Sequence, residues 1–117
     1  AGIGLRTAAP VTAVAGGAVC LANGDRLPAD LIVWATGSRG PAWLGACGLP
    51  VDTRGCLQVD DQLRCREHPQ IFAAGDCASL HSHPDLPKAG VYAVRQGAVL
   101  AHNLIAALRG HPMRSFR

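Results

Sequence analysis

Hydrophobic and polar positions fall into short blocks, with one long period near the end of the chain. Val11 to Val14 and Val19 to Leu21 are apolar stretches around Gly16-Gly17, the pattern of a hairpin. Asn23-Gly24-Asp25 is a second turn signal. Leu31-Ile32-Val33-Trp34-Ala35 is apolar throughout and ends at Thr36-Gly37. It predicts a strand buried on both faces, the usual state of a parallel sheet. Residues 41–51 are rich in Gly, Ala and Pro and predict a loop with one short helical turn. Asp52 to Gly55 predicts a turn, and the alternation of Leu57-Gln58-Val59 a brief strand. Gln70-Ile71-Phe72-Ala73-Ala74 predicts a second buried strand, stopped by Gly75-Asp76.

The clearest periodicity lies beyond residue 90. Val91, Val94, Ala98, Ala101, Ile105 and Leu108 recur at helical steps and predict one apolar helix face. Pro84 and Pro87 bar a helix before Lys88. The helix therefore starts near Lys88 to Gly90 and stops at Gly110, with Pro112 just beyond. Arg95-Gln96 falls on its polar side and reads as solvated surface, and Met113 to Arg117 as a frayed tail. Two buried strands and one helix do not complete a doubly wound sheet, which needs further strands and a helix layer on each face. The core reads as half of something.

Composition narrows this picture. The 117 residues suit one modest domain, and no apolar run reaches membrane-spanning length. Eleven basic and eight acidic side chains give a net charge of +3. The arginines are scattered and aromatic residues are few, which excludes the basic stripe with stacking platforms of a nucleic-acid binder. The cysteines at 20, 47, 56, 65 and 77 are odd in number and contain no CxxC. They read as buried free thiols in a reducing compartment, so a cytoplasmic location is expected.

Three places carry candidate chemistry. Gly75-Asp76 comes after an apolar run, and ligands of open parallel sheets gather outside the carboxyl ends of strands. Glycine lets a bulky ligand approach the backbone, and an ionised Asp accepts hydrogen bonds from polyol hydroxyls. The plainer alternative is a common turn in which Asp76 only caps the next segment. Thr36-Gly37 ends the other apolar run and offers a second small-residue edge; the alternative is a strand-to-loop turn. Lys88-Ala89-Gly90-Val91 opens the helix with free backbone donors, suited to a partial negative charge such as a ring carbonyl. His81 and His83 lack a third anchor for a metal and read as loop polarity. No Ser/His/Asp spacing supports a nucleophile, and no residue is assigned a catalytic or metal-binding role.

These residues resemble a known family. Leu27-Pro28-Ala29-Asp30-Leu31-Ile32-Val33-Trp34-Ala35-Thr36-Gly37 is similar to the segment closing the NAD-binding insertion of flavoproteins with two dinucleotide-binding domains. Gly55 to Val59 with Ile71-Phe72-Ala73-Ala74-Gly75-Asp76-Cys77 resembles their second FAD-binding motif. Leu86 to Gly97 resembles the helix start that meets the flavin in the membrane-associated NADH dehydrogenase-like branch. The whole is similar to FAD-dependent pyridine nucleotide-disulfide oxidoreductases, of the NADH dehydrogenase-like type sometimes fused to selenide, water dikinase.

The resemblance implies an α/β fold, part of a Rossmann-like FAD/NAD(P)-binding domain with a short β-meander, incomplete as a fold. It implies that 1–37 is the end of the NAD(P) insertion with a crossover strand, 38–110 the C-terminal part of the FAD domain, and 111–117 a tail. Asp76 would accept from the ribityl chain of FAD, with Gly75 giving it room. Lys88, Ala89 and the backbone of Gly90, Val91 and Tyr92 would approach the flavin ring, and Thr36 and Gly37 would line the crossing between modules. The parent would pass a hydride from NAD(P)H to FAD and on to an acceptor. No GxGxxG stands after a strand here. The chain is therefore expected to be a C-terminal fragment, inactive alone and partnered by N-terminal FAD- and NAD-binding segments of the same protein. Pairing through exposed edges as a homo-oligomer and a membrane-peripheral parent stay open. So do two alternatives: a non-catalytic interaction module, and a small α+β binding domain unrelated to flavin.

Overall fold

The computed structural model describes residues 2–117. The chain divides into two compact units, Ala1–Thr36 and Gly37–Arg117.

The first unit is a meander of β1 (Val11–Ala15), β2 (Ala18–Leu21) and β3 (Arg26–Pro28), antiparallel in the order β1-β2-β3. Gly16 and Gly17 have φ of +57° and +68°, the double left-handed step of a tight hairpin, and they set Ala15 opposite Ala18. The second turn is closed by the Asp25 N–H donating to Asn23 Oδ1 at 3.1 Å. It returns the chain as β3, with Leu27 opposite Val19. Sequence pattern does not mark β3, because Arg26-Leu27-Pro28 sets a lone Leu before a proline, which argues against a strand.

Leu31 to Ala35 is not a strand. It lies outside any element and is unpaired, with Leu31 81%, Val33 77% and Trp34 60% exposed. An apolar run becomes a buried parallel strand only where neighbouring strands accept its hydrogen bonds, and none of the described residues pairs with it.

The second unit holds the core. After α1 (Ala42–Ala46), the brief strand β4 (Leu57–Val59) pairs in parallel with β5 (Ala78–Leu80), Leu57 opposite Ala78 and Val59 opposite Leu80. Leu57, Val59, Leu63, Cys65, Ala78 and Leu80 are buried together, with Leu44 beside them. Here too an expected strand moves. Residues 70–74 supply only an isolated bridge between Phe72 and Arg64, and the strand proper starts after Gly75-Asp76. The parallel partner β4 takes up 78–80, which leaves 71–74 without a second neighbour in the sheet.

Gly40 and Gly55 cross backbone to backbone. The Gly40 N–H donates to Arg54 O at 2.9 Å, and a Cβ at Gly40 would land on the Gly55 carbonyl. Nearby, Asp52 closes the turn before β4 by accepting from the N–H groups of Arg54 and Cys56, both at 2.9 Å. Burial pushes its carboxyl upward more strongly than any single contact opposes. The Cys56 N–H, the Ser79 hydroxyl, the Arg54 N–H and the Arg54 charge together outweigh burial and hold the group below its ordinary value.

Helix α2 (Gly90–Arg109) has the expected limits and ends on Gly110 at φ +68°, a left-handed C-cap. Its orientation is not the expected one. Val94 is 77% and Leu108 89% exposed, and Val91 and Ile105 are exposed as well. The buried face carries Gln96, Asn103 and Ala106, with Val99 and Leu100 against the core. Asn103 explains why polar groups point inward. Its Nδ2 donates to Gln62 O and Arg114 O, and its Oδ1 accepts from the Arg114 N–H, each at 2.8 Å. The tail is accordingly fixed rather than frayed. The Phe116 N–H donates to Asp61 O at 2.7 Å, and its ring packs against the core.

Candidate functional site

Residues 74–78 are a meeting point of main chain and side chain in the second unit. Gly75–Cys77 is a single 3₁₀ turn, with Gly75 at φ +74°. A Cβ there would make an ordinary 3.4 Å contact with the Ala93 Cβ of α2, but in a backbone region that L side chains rarely adopt, so the dihedral favours glycine. The turn is held from outside. The Gly75 N–H donates to Gln96 Oε1 at 2.6 Å. The buried Cys56 thiol donates to Asp76 O at 3.3 Å, and the Cys77 thiol to Ala74 O at 3.4 Å. The Lys88 ammonium donates to Ala78 O.

Asp76 is exposed. Its Oδ2 accepts from the Ser38 hydroxyl at 2.6 Å, and Oδ1 has no partner among the described residues. An exposed carboxylate with one oxygen fixed and one open suits a hydroxyl donor arriving from solvent. The crevice at the turn is lined by Gly75, Asp76, Lys88, Ala89, Tyr92 and Gln96 among others, and its interior of about 10 Å³ holds no more than one water. A larger ligand would lie along its mouth.

The structure thus brings Gly75, Asp76, Lys88, Ala89 and Tyr92 together. Gly90 and Val91 open α2 next to Ala89, which is the N-cap and offers no side-chain cap. Their N–H groups have no acceptor among the described residues, as at any uncapped helix start. Tyr92 differs, because its N–H donates to Ala89 O at 3.0 Å while the residue lines the crevice. Lys88 is likewise committed in part to Ala78 O. Thr36 is the last residue of the first unit and Gly37 the first of the second. Both are exposed and outside any element, and a Cβ at Gly37 would meet nothing within 4 Å.

Gly75-Asp76 sits at the entrance of β5 rather than at the exit of a strand. The geometry keeps the carboxylate at an edge of the parallel pair but reverses the direction assumed from the pattern. Sequence reasoning missed three contributors: Gln96, Ser38 and the Cys56 thiol. Gln96 alone left a signal. It stands seven residues before Asn103, with Val99, Leu100 and Ala106 filling the same face, so a second helical period ran beside the apolar one.

Among the described residues no helix is long and apolar enough to cross a membrane. All five cysteines are free. Cys56 and Cys65 are buried as expected, whereas Cys47 is exposed at the end of α1.

The family described as pyridine nucleotide-disulphide oxidoreductase matches residues 1–97. An NADH dehydrogenase-like protein of Mycobacterium tuberculosis is 42% identical over 78 residues, covering 67% of this chain and 20% of the relative. The type II NADH:quinone oxidoreductase of Haemophilus influenzae is 36% identical over 98 residues, covering 81% of this chain and 22% of the relative. Among solved structures, a ferredoxin reductase from Rhodopseudomonas palustris superimposes with a TM-score of 0.59 at 27% identity, covering 93% of this chain and 28% of that one. The chain therefore spans between a fifth and a third of the length of the proteins it resembles, and its α/β architecture is that of part of a Rossmann-like FAD/NAD(P)-binding domain.

Proposed function

Because the chain belongs to the pyridine nucleotide-disulphide oxidoreductase family, we propose that residues 37–117 supply the flavin-contacting part of an FAD-dependent NAD(P)H oxidoreductase. The observation that carries this reading is the Asp76 carboxylate, exposed at a glycine turn with Oδ1 open. FAD presents a polyol chain whose hydroxyls donate to such a group. The residues fit that part of FAD. The acceptor is exposed and oriented by Ser38, and the glycine before it keeps the approach clear of a Cβ. In this reading Asp76 and Gly75 hold the ribityl region. The open N–H groups of Gly90 and Val91 face a polar ring edge, where the positive end of a twenty-residue helix favours partial negative charge. Lys88 serves mainly as a strut on the Ala78 carbonyl. Thr36 and Gly37 belong to the linker between NAD- and FAD-binding modules.

When bound, FAD would supply the hydride and electron transfer from NAD(P)H to an acceptor. The protein orients the cofactor, and no side chain of this chain is given an acid, base or nucleophilic role. N-terminal FAD- and NAD-binding segments of the same protein would complete the site, and this chain alone is inactive in that reading. Family membership weighs against a small α+β domain unrelated to flavin.

The test is Asp76→Ala in the natural polypeptide that carries these residues, read as the ratio of flavin to protein absorbance after purification. Loss of a charge-assisted hydrogen bond is expected to weaken FAD binding by at least about tenfold. An unchanged ratio would remove Asp76 from the cofactor site.

A further inference from the structure

A glycine gives the turn at 75 its left-handed step but leaves it without stiffness of its own. Any other residue would be strained at φ +74°. The dihedral freedom of Gly75 must then be removed from outside, because rotation about its φ and ψ swings the adjoining Asp76 carboxylate. Gln96 is placed to do this. It is 2% exposed, in a helix whose neighbouring apolar stripe faces out, so its burial is not a by-product of packing grease. A buried amide side chain is costly unless paired. The bond it makes is to the Gly75 N–H, at 2.6 Å and across 21 residues of sequence. Cys56, just before β4, holds the carbonyl of Asp76.

We propose that Gln96 is a positioning residue for the flavin-facing carboxylate: its side-chain carbonyl locks Gly75 and so fixes where Asp76 presents its open oxygen. This rests on the reading of Asp76 as a flavin contact. A merely structural Gln96 would support α2 packing without governing cofactor affinity.

The experiment uses the natural polypeptide carrying these residues, with FAD affinity read by fluorescence titration of the apoprotein and the Gly75 amide monitored by hydrogen exchange. Gln96→Met keeps the length and removes the strong acceptor, and Gln96→Glu keeps an oxygen in its place. With Gln96→Met, both Gly75 exchange and the FAD dissociation constant are expected to rise about tenfold. Gln96→Glu should return both toward the native values, and adding Gln96→Met to Asp76→Ala should cost little more than Asp76→Ala alone. If Asp76→Ala weakens FAD while Gln96→Met leaves it unchanged, the positioning role is overturned and the site reading stands. If Asp76→Ala itself leaves FAD unchanged, the site reading fails first. A Gly75 amide that exchanges in the unaltered protein as fast as exposed Gly37 overturns the proposal without any variant.

Discussion

In the first unit, β1 is exposed along all of its residues, and the buried apolar side chains among the described residues are Ala18 and Leu21. In the second, β4 and β5 are three residues each, yet they bury Leu57, Val59, Ala78 and Leu80 completely or nearly so. The longer strands lie in the unit with almost no core. An antiparallel meander is specified by its turns, since each strand meets the next within a few residues, and glycines at 16, 17 and 24 provide the positive φ those turns use. A parallel pair has no such local closure. Residues 60–77 must leave and return, and only a shared apolar layer makes that return favourable. The contrast is between strands held by chain geometry and strands held by burial.

That contrast can be broken at its strongest point. Leu57→Ala opens a cavity in the layer that joins β4 to β5, and is expected to cost about 2–5 kcal/mol in denaturant unfolding. The matching change in the meander, Val14→Ala, removes a 43% exposed side chain and should stay within about 0.5 kcal/mol. Similar losses at both positions would end the distinction.

Asn103→Ala asks whether polar contacts belong to the burial-held unit. It strands three main-chain groups of Gln62 and Arg114, and a loss of about 1–3 kcal/mol is expected, with faster amide exchange at Arg114 and Phe116. Unchanged exchange at Phe116 would show the tail to be held by the Phe116 bond to Asp61 O and its ring, without Asn103.

Gly17→Ala tests the geometric side. A Cβ meets no atom within 4 Å there, so the cost is backbone strain at φ +68°, about 1 kcal/mol, read as lost protection across β1 and β2. No loss of protection would mean the turn does not set the register.

The smallest effect is the pH response of Asp52. Its folded-state value lies below the 3.8 of the unfolded chain, so its contribution is complete above that value and is lost as pH falls through the folded one. Asp52→Asn should flatten the acid limb of the stability curve and leave its slope near neutrality unchanged. An unaltered acid limb would remove Asp52 from the turn's support.

Legibility in the sequence divides along the same line. The hairpin at Gly16-Gly17, the turn at 52–55 and both ends of α2 are written in a few adjacent residues, and they are where expected. The runs at 31–35 and 70–74 do not form the strands their pattern predicts, because composition states a wish for burial and not the partner that grants it. Leu31 and Phe72 look alike in sequence, yet one has no neighbour and the other a single bridge. On α2 two periods overlap. The apolar one is the louder, while Gln96 and Asn103 face inward because main-chain groups distant in sequence await them. Of the candidate site, the glycine, the carboxylate and the helix start are readable from local pattern. Ser38 and Cys56 are not, since their bonds to Asp76 span 38 and 20 residues.

Asn103 also makes the C-terminal residues depend on a single side-chain nitrogen. An aspartate at this position would put an oxygen where the nitrogen now serves Gln62 O and Arg114 O, and two attractions would become two repulsions in the C-terminal half of the helix. The C-terminal residues would then come loose with no peptide bond cut and no change in chain length.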